Sequence, residues 1–149
     1  MNPDFRTLLK QHNLSLTSAR LAVLETLHHC PHSDAQTIFT AVQKMIPSIT
    51  IQAVYNNLNA LTGSGIIQEI KPKGKASLYE TRVGDNHHHI VCRTCGRIED
   101  KPCVASAPCV APDNEHGFIV DEAEVIFWGV CPACQKSKSK SKPKHKTKA

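Results

Sequence analysis

At 149 residues the chain has room for one ordinary domain or two small ones, which excludes a large multidomain enzyme. Hydrophobic residues make up 40% and charged residues 21%, and the longest apolar stretch, Val125 to Cys131, has seven residues, far short of the roughly 20 that a membrane-spanning helix requires; no membrane partner is expected. The formal net charge of +5 is a property of the C-terminus: residues 1–83 carry 8 Lys/Arg against 5 Asp/Glu, residues 84–135 carry 3 against 8, and residues 136–149 carry 7 Lys and no acid.

The opening MNPDFRTLLKQHNL lacks both the basic start and the apolar core of an export signal, so a cytoplasmic location is expected. In a reducing compartment the seven cysteines read as metal ligands or reactive thiols rather than as disulfides. From residue 1 to about 63 the apolar period is helical. Leu21, Leu24 and Leu27 follow Thr17, an N-cap residue type. Ala35, Ile38, Phe39, Val42 and Ile46 follow Ser33, which with Gln36 makes the pattern of a capping box, and Pro47 stops that helix. A third segment starts after Thr50, carries Ile51, Val54, Tyr55, Leu58 and Leu61 on one stripe, and ends at Gly63 or Gly65.

Beyond Gly65 the period shortens. Residues 66–71 and 76–80 are predicted strands, joined by the turn Pro72-Lys73-Gly74-Lys75. Three helices and a basic hairpin are the order of a winged helix-turn-helix. Residues 88–92, 97–101 and 118–128 are predicted as further strands, with an irregular or briefly helical link from Cys103 to Pro112. The expected class is therefore α+β. A winged helix-turn-helix over residues 1–83 precedes a small αβ domain over 84–135, with the hinge at Val83-Gly84-Asp85-Asn86. Residues 136–149, KSKSKSKPKHKTKA, repel one another and lack large apolar groups, so a disordered tail is expected. It serves as a solubilising appendage or as a salt-sensitive handle on nucleic acid.

A domain of about 50 residues is marginal on its core alone, and its sequence carries a substitute. Cys92 and Cys95 form one CxxC and Cys131 and Cys134 another. Each pair can chelate one ion, and four thiolates suit a closed tetrahedral zinc site of structural kind. The competing thiol redox motif lacks its βαβ setting. Just ahead lie His87, His88 and His89. On a strand, residues two apart share a face, so His87 and His89 converge while His88 points away, and His32, Glu80 and Asp100 are candidates to complete a site for Fe(II), Mn(II), Zn(II), Co(II) or Ni(II). On the third helix, Gln52, Tyr55, Asn56 and Asn57 are candidate base or phosphate contacts, supported by Lys73 and Lys75 of the hairpin. Amide side chains pair with adenine, which predicts an A/T-rich site. Cys30 is expected to pack at a helix end. His28 and His29 are expected to cap or lie on the surface, and Cys103 and Cys109 to be buried small residues rather than a thiol switch. No nucleophile triad, phosphate loop or dinucleotide fingerprint is visible, so no enzyme is expected.

Taken together, T-S-A-R (Thr17 to Arg20), H-S-D-A-Q-T-I-F (His32 to Phe39), I-Q-A-V-Y-N-N-L (Ile51 to Leu58), L-Y-E (Leu78 to Glu80), H-H-H-I-V-C-R-T-C-G (His87 to Gly96) and W-G-V-C-P-A-C (Trp128 to Cys134) resemble the ferric uptake regulator family of bacterial metal-dependent repressors. The likeness covers nearly all of residues 5–135 and is strongest to the redox-sensing branch that represses catalase-peroxidase genes. It implies structural zinc on Cys92, Cys95, Cys131 and Cys134. It also implies a regulatory Fe(II) or Mn(II) on His32, Glu80, His87 and His89, with Asp100 at the place where peroxide-sensing relatives use a further carboxylate. It implies a homodimer on a palindromic double-stranded DNA operator, and repression released by peroxide. The alternatives are a metal-uptake regulator answering iron, zinc, nickel or manganese without oxidation, and a thiol-disulfide enzyme. Two departures stand out. Asn56 occupies the place of an Arg found in many members, so operator preference does not transfer. Asn86 and Ala123 replace histidines of a further metal site, for which His88, His116, Asp121, Glu122 or Glu124 are substitutes.

Overall fold

The structure, a computed structural model, describes residues 3–83, 87–102, 113, 115–120 and 123–139. Its chain divides into two compact units, Met1–Asp85 and Asn86–Ala149.

Helices of the first unit start where a side-chain oxygen takes up backbone donors that the first turn leaves open. Asp4 accepts from the N–H groups of Arg6 and Thr7 and begins α1 (Phe5–Gln11). Thr17 caps α2 (Ser18–His29) through the Arg20 N–H, as expected from its residue type, and Thr50, after which the third segment was expected to start, caps α4 (Ile51–Gly63) through the Ala53 N–H. At α3 (Ala35–Met45) the expected capping box is replaced. Asp34, not Ser33, is the cap, accepting from Thr37 N–H at 2.8 Å. Ser33 instead lies in the two-residue strand β1 (Ser33–Asp34) and donates its hydroxyl to the Cys30 carbonyl. Ile46 caps the far end of α3, one residue before Pro47, whose ring disfavours a helical neighbour. Gly65, at φ +77°, takes the left-handed conformation that closes α4.

The predicted hairpin is present as β2 (Gln68–Ile70) and β3 (Leu78–Glu80), shorter than the sequence suggested, with Lys75 N–H donated to the Pro72 carbonyl across the turn. It is not a bare hairpin. β1 pairs antiparallel with β3, giving a sheet of order β1-β3-β2. The apolar faces of the four helices and this sheet enclose one core, in which Leu9, Val23, Leu24, Leu27, Ile38, Val42, Val54, Leu58 and Leu61 are fully buried. Ile51 and Tyr55, placed by their spacing on the buried stripe of α4, are instead exposed at 36% and 44%. Cys30, expected to pack, is also exposed, as the C-cap of α2. Burial predicts a clear contrast in stability. Leu58→Ala should cost about 2–5 kcal/mol through lost contacts and a residual cavity, whereas Leu16→Ala, at a 41% exposed side chain, should cost about 0.5 kcal/mol or less; denaturant unfolding of the two variants checks this.

In the second unit β4 (His87–Cys92) is central, antiparallel to β5 (Ile98–Pro102) and parallel to β6 (Ile126–Gly129). α5 (Pro132–Ser139) follows. The strand expected over 118–128 is confined to its end. Phe118 and Ile119 lie outside β6 and are 74% and 96% exposed. Residues 136–139, expected as the start of the tail, belong to α5. Residues 140–149, most of the proposed hinge, and Cys103 and Cys109 with the rest of the link to Pro112 lie outside the described residues.

Candidate metal centres and recognition helix

The sulfur cluster is built by two turns that meet at the end of a sheet. Cys92 ends β4, and the chain reverses through Arg93 to Gly96, with Gly96 N–H donated to the Cys92 carbonyl and Cys92 N–H to the Arg97 carbonyl. Gly96 sits at φ +79°, a conformation that a residue with a Cβ adopts only with strain, so the glycine after Cys95 is part of the turn's design. β6 delivers the second turn. Arg93 N–H is donated to the Gly129 carbonyl, the Arg93 guanidinium lies 5.4 Å from the Trp128 ring centroid, and Cys131 and Cys134 follow at the start of α5.

The four Sγ atoms all lie within 4.8 Å of one another, and Cys95 Sγ is 3.7 Å from Cys131 Sγ. Tetrahedral zinc with sulfur at about 2.3 Å sets sulfurs about 3.8 Å apart, so four donors gathered this closely suit that ion. Protonation argues the same way. Cys131 N–H is donated to Cys92 Sγ at 3.3 Å, and this bond, with those from Cys95 and Thr94, lowers the Cys92 thiol to about 5. The Cys134 thiol, hydrogen-bonded to Cys131 and desolvated, is pushed up to about 12. Four ionised sulfurs at this spacing repel each other, and a dication is what makes all four thiolates stable together. A redox pair would need only two of these sulfurs.

The harder donors occur as one group in each unit. In the first, His32 follows α2 with φ +61°, its N–H donated to the Tyr79 carbonyl, and its Nε2 lies 3.0 Å from Oε2 of Glu80 on β3. Glu80 is 1% exposed, and a carboxylate so deeply buried requires a cation or strong donors around it. In the second unit, His87 and His89 share a face of β4 with ring centroids 4.9 Å apart. The register places Asp100 of β5 directly opposite His89, and Asp100 Oδ1 lies 3.5 Å from His89 Nε2 and 4.0 Å from His87 Nε2. His88 takes the opposite face, its ring 6.3 Å from that of Phe127. Among the described residues, His88, His116 and Glu124 join no group of three or more donors; Asn86, Asp121 and Glu122 lie outside them.

On α4 the solvent-facing side chains are Ile51, Gln52, Tyr55, Asn56 and Asn59. Asn57, the other expected contact, is half-buried and donates one amide N–H to the Ala53 carbonyl at 2.8 Å. Asn59 also lies on the exposed face. Its signal was available in the spacing, since 52, 56 and 59 lie on one helical face. Lys73 and Lys75 are exposed at the tip between β2 and β3.

The model of the ferric uptake regulator family matches residues 11–103. The chain is similar to the transcriptional regulator FurA of Mycobacterium tuberculosis, 50% identical over 133 residues, covering 89% of this chain and 90% of that protein. It is similar to the peroxide operon regulator of Bacillus subtilis, 31% identical over 134 residues, covering 88% and 91%. In fold it is similar to the crystal structure of the Vibrio cholerae ferric uptake regulator, with a TM-score of 0.67 at 23% identity, covering 86% of this chain and 100% of that one.

Proposed function

The chain belongs to the ferric uptake regulator family of metal-responsive transcriptional regulators, which are not enzymes, and from that premise we propose that it is a metal-sensing, sequence-specific DNA-binding repressor acting as a homodimer on a palindromic, A/T-rich operator. The observation that carries this reading is the division of donors into two chemistries. The four sulfurs suit a permanent zinc ion, while His32 with Glu80 and His87 with His89 and Asp100 are borderline and hard donors suited to an exchangeable Fe(II) or Mn(II). We assign both groups to one regulatory ion. An ion held by ligands from the DNA-binding unit and from the second unit stabilises only the arrangement in which both reach it. It therefore shifts the population by its difference in affinity between arrangements, the requirement for a switch. Gln52, Tyr55, Asn56 and Asn59 would then face bases, with Lys73 and Lys75 on phosphates. Two such helices in a dimer match an operator of two half-sites.

A second reading, that peroxide releases repression, is favoured by Asp100 beside both histidines and by the similarity to a peroxide operon regulator. In that case one oxygen atom of hydrogen peroxide ends on the imidazole of His87 or His89 and the other leaves as water. Metal sensing alone has the broader support, because the chain is 45% identical to a protein named as ferric uptake regulation protein 2 and 31% identical to the one named as a peroxide operon regulator. DNA binding by the zinc-loaded protein with added Fe(II), Mn(II), Ni(II) or Zn(II), each with and without peroxide, tests both readings. Metal sensing predicts binding that follows metal occupancy and an iron form with unmodified histidines after peroxide. The peroxide reading predicts that the iron form alone loses DNA, with the mass of one oxygen atom added to His87 or His89. Binding that ignores every metal would reject both.

A further inference from the structure

The exposed face of α4 contains a prearranged element that the general reading of amide side chains does not anticipate. Gln52 and Asn56 are four residues apart, adjacent on the helix surface, and Gln52 Nε2 donates to Asn56 Oδ1 at 3.0 Å. Both are exposed. An isolated amide carries its own donor and acceptor and can turn to read an adenine alone. Linked in this way, the two side chains lose that independence. Each amide keeps further bonding capacity, the acceptor Gln52 Oε1 and an Asn56 Nδ2–H donor among it, and the bond fixes those two groups relative to one another.

Resting on the proposal that α4 enters the major groove, we infer that Gln52 and Asn56 act as one reading unit, specific for a single adenine in each half-site rather than for two bases. Adenine shows the complementary pattern, an N6–H donor beside the N7 acceptor, whereas guanine shows two acceptors, N7 and O6. Guanine, met by the same two groups, would set its O6 against Gln52 Oε1. The neighbouring Asn57 is half-buried and donates an amide N–H to the Ala53 carbonyl, apart from this pair. The unit also accounts for a helix that has Asn56 after Tyr55. A lone arginine there would favour guanine, and the amide pair reverses that preference.

The test is selection of duplexes from a randomised pool by the metal-loaded protein and by its Gln52→Ala, Asn56→Ala and doubly substituted variants, followed by affinities on the selected duplex and its single-base substitutions. A joint unit predicts that both single variants and the double variant relax preference at the same adenine, each losing roughly five- to a hundredfold in discrimination there. The double variant should lose little beyond either single one. Replacing that adenine by 7-deazaadenine should weaken the wild type and leave the variants unchanged. Additive losses at two different positions would overturn the joint unit while leaving sequence-specific binding intact. Equal losses on all sequences, or a lowered melting temperature, would make the pair structural and overturn it also. A wild type that enriches no sequence would overturn both the pair and the DNA-binding proposal.

Discussion

Replacing Cys92 with serine is expected to empty the sulfur site and unfold the second unit while the first stays folded. A serine hydroxyl does not ionise at neutral pH, so the site keeps three thiolates where closed tetrahedral zinc takes four. Structural zinc of this kind supplies about 10–16 kcal/mol of apparent binding free energy, as large as the roughly 5–15 kcal/mol by which whole domains are stable. The second unit has little else to draw on. Among its described residues the buried hydrophobic side chains are Val91 and Cys92, whereas Phe118, Ile119 and Phe127 are half or more exposed. The first unit has a core spanning four helices and needs no ion for it. The measurement is selective, because the chain's single tryptophan, Trp128, lies on β6. Cys92→Ser should lose zinc by metal analysis and shift Trp128 emission to that of a solvated indole, while amides of α2 to α4 keep their protection from hydrogen exchange. A zinc-free variant with native Trp128 emission would remove the structural role from the sulfur site.

His89→Ala has a different expected outcome: zinc and fold are retained, and the DNA response to added metal is lost. His89 is 1% exposed and shares its strand face with His87 and its register position with Asp100. Residues that merely orient a metal's ligands are worth about 10–100-fold in affinity, so removal of a ligand should weaken regulatory metal binding by at least about that factor. His88→Ala is the matched control. It removes the same ring from the opposite face, where it meets Phe127, and should leave the metal response unchanged. Titration of Mn(II) into zinc-loaded protein on a selected duplex separates the two. Equal behaviour of the two variants would withdraw His89 from the regulatory set.

The unequal legibility of the chain follows from the range of the interactions involved. Thr17 and Thr50 were readable as caps because capping acts within one turn, and the CxxC pairs were readable because chelation by each pair is equally local. Ser33 misled for the complementary reason. Its capping-box spacing is locally sound, but pairing of β1 with β3 takes the residue into a sheet and leaves the cap to Asp34. A two-residue strand has no period from which to be read. Tyr55 and Ile51 fit an apolar stripe by spacing and are exposed in the structure, because spacing alone does not show how much of a stripe the core covers. Alternation placed His87 and His89 on one side of β4, whereas the position of Asp100 opposite His89 depends on register, which no single strand specifies. The apolar run near Trp128 likewise predicted too long a strand, since hydrophobicity alone does not show where pairing with β4 begins.

Stepwise removal of metal from one preparation tests the central claim most directly. A chelator too weak to compete for sulfur-bound zinc should abolish binding to the selected duplex while zinc content and Trp128 emission stay unchanged, and Mn(II) or Fe(II) added back should restore binding. DNA binding that survives this treatment, or that disappears only when zinc and the fold of the second unit are lost together, would contradict a division of labour between a permanent site and an exchangeable one.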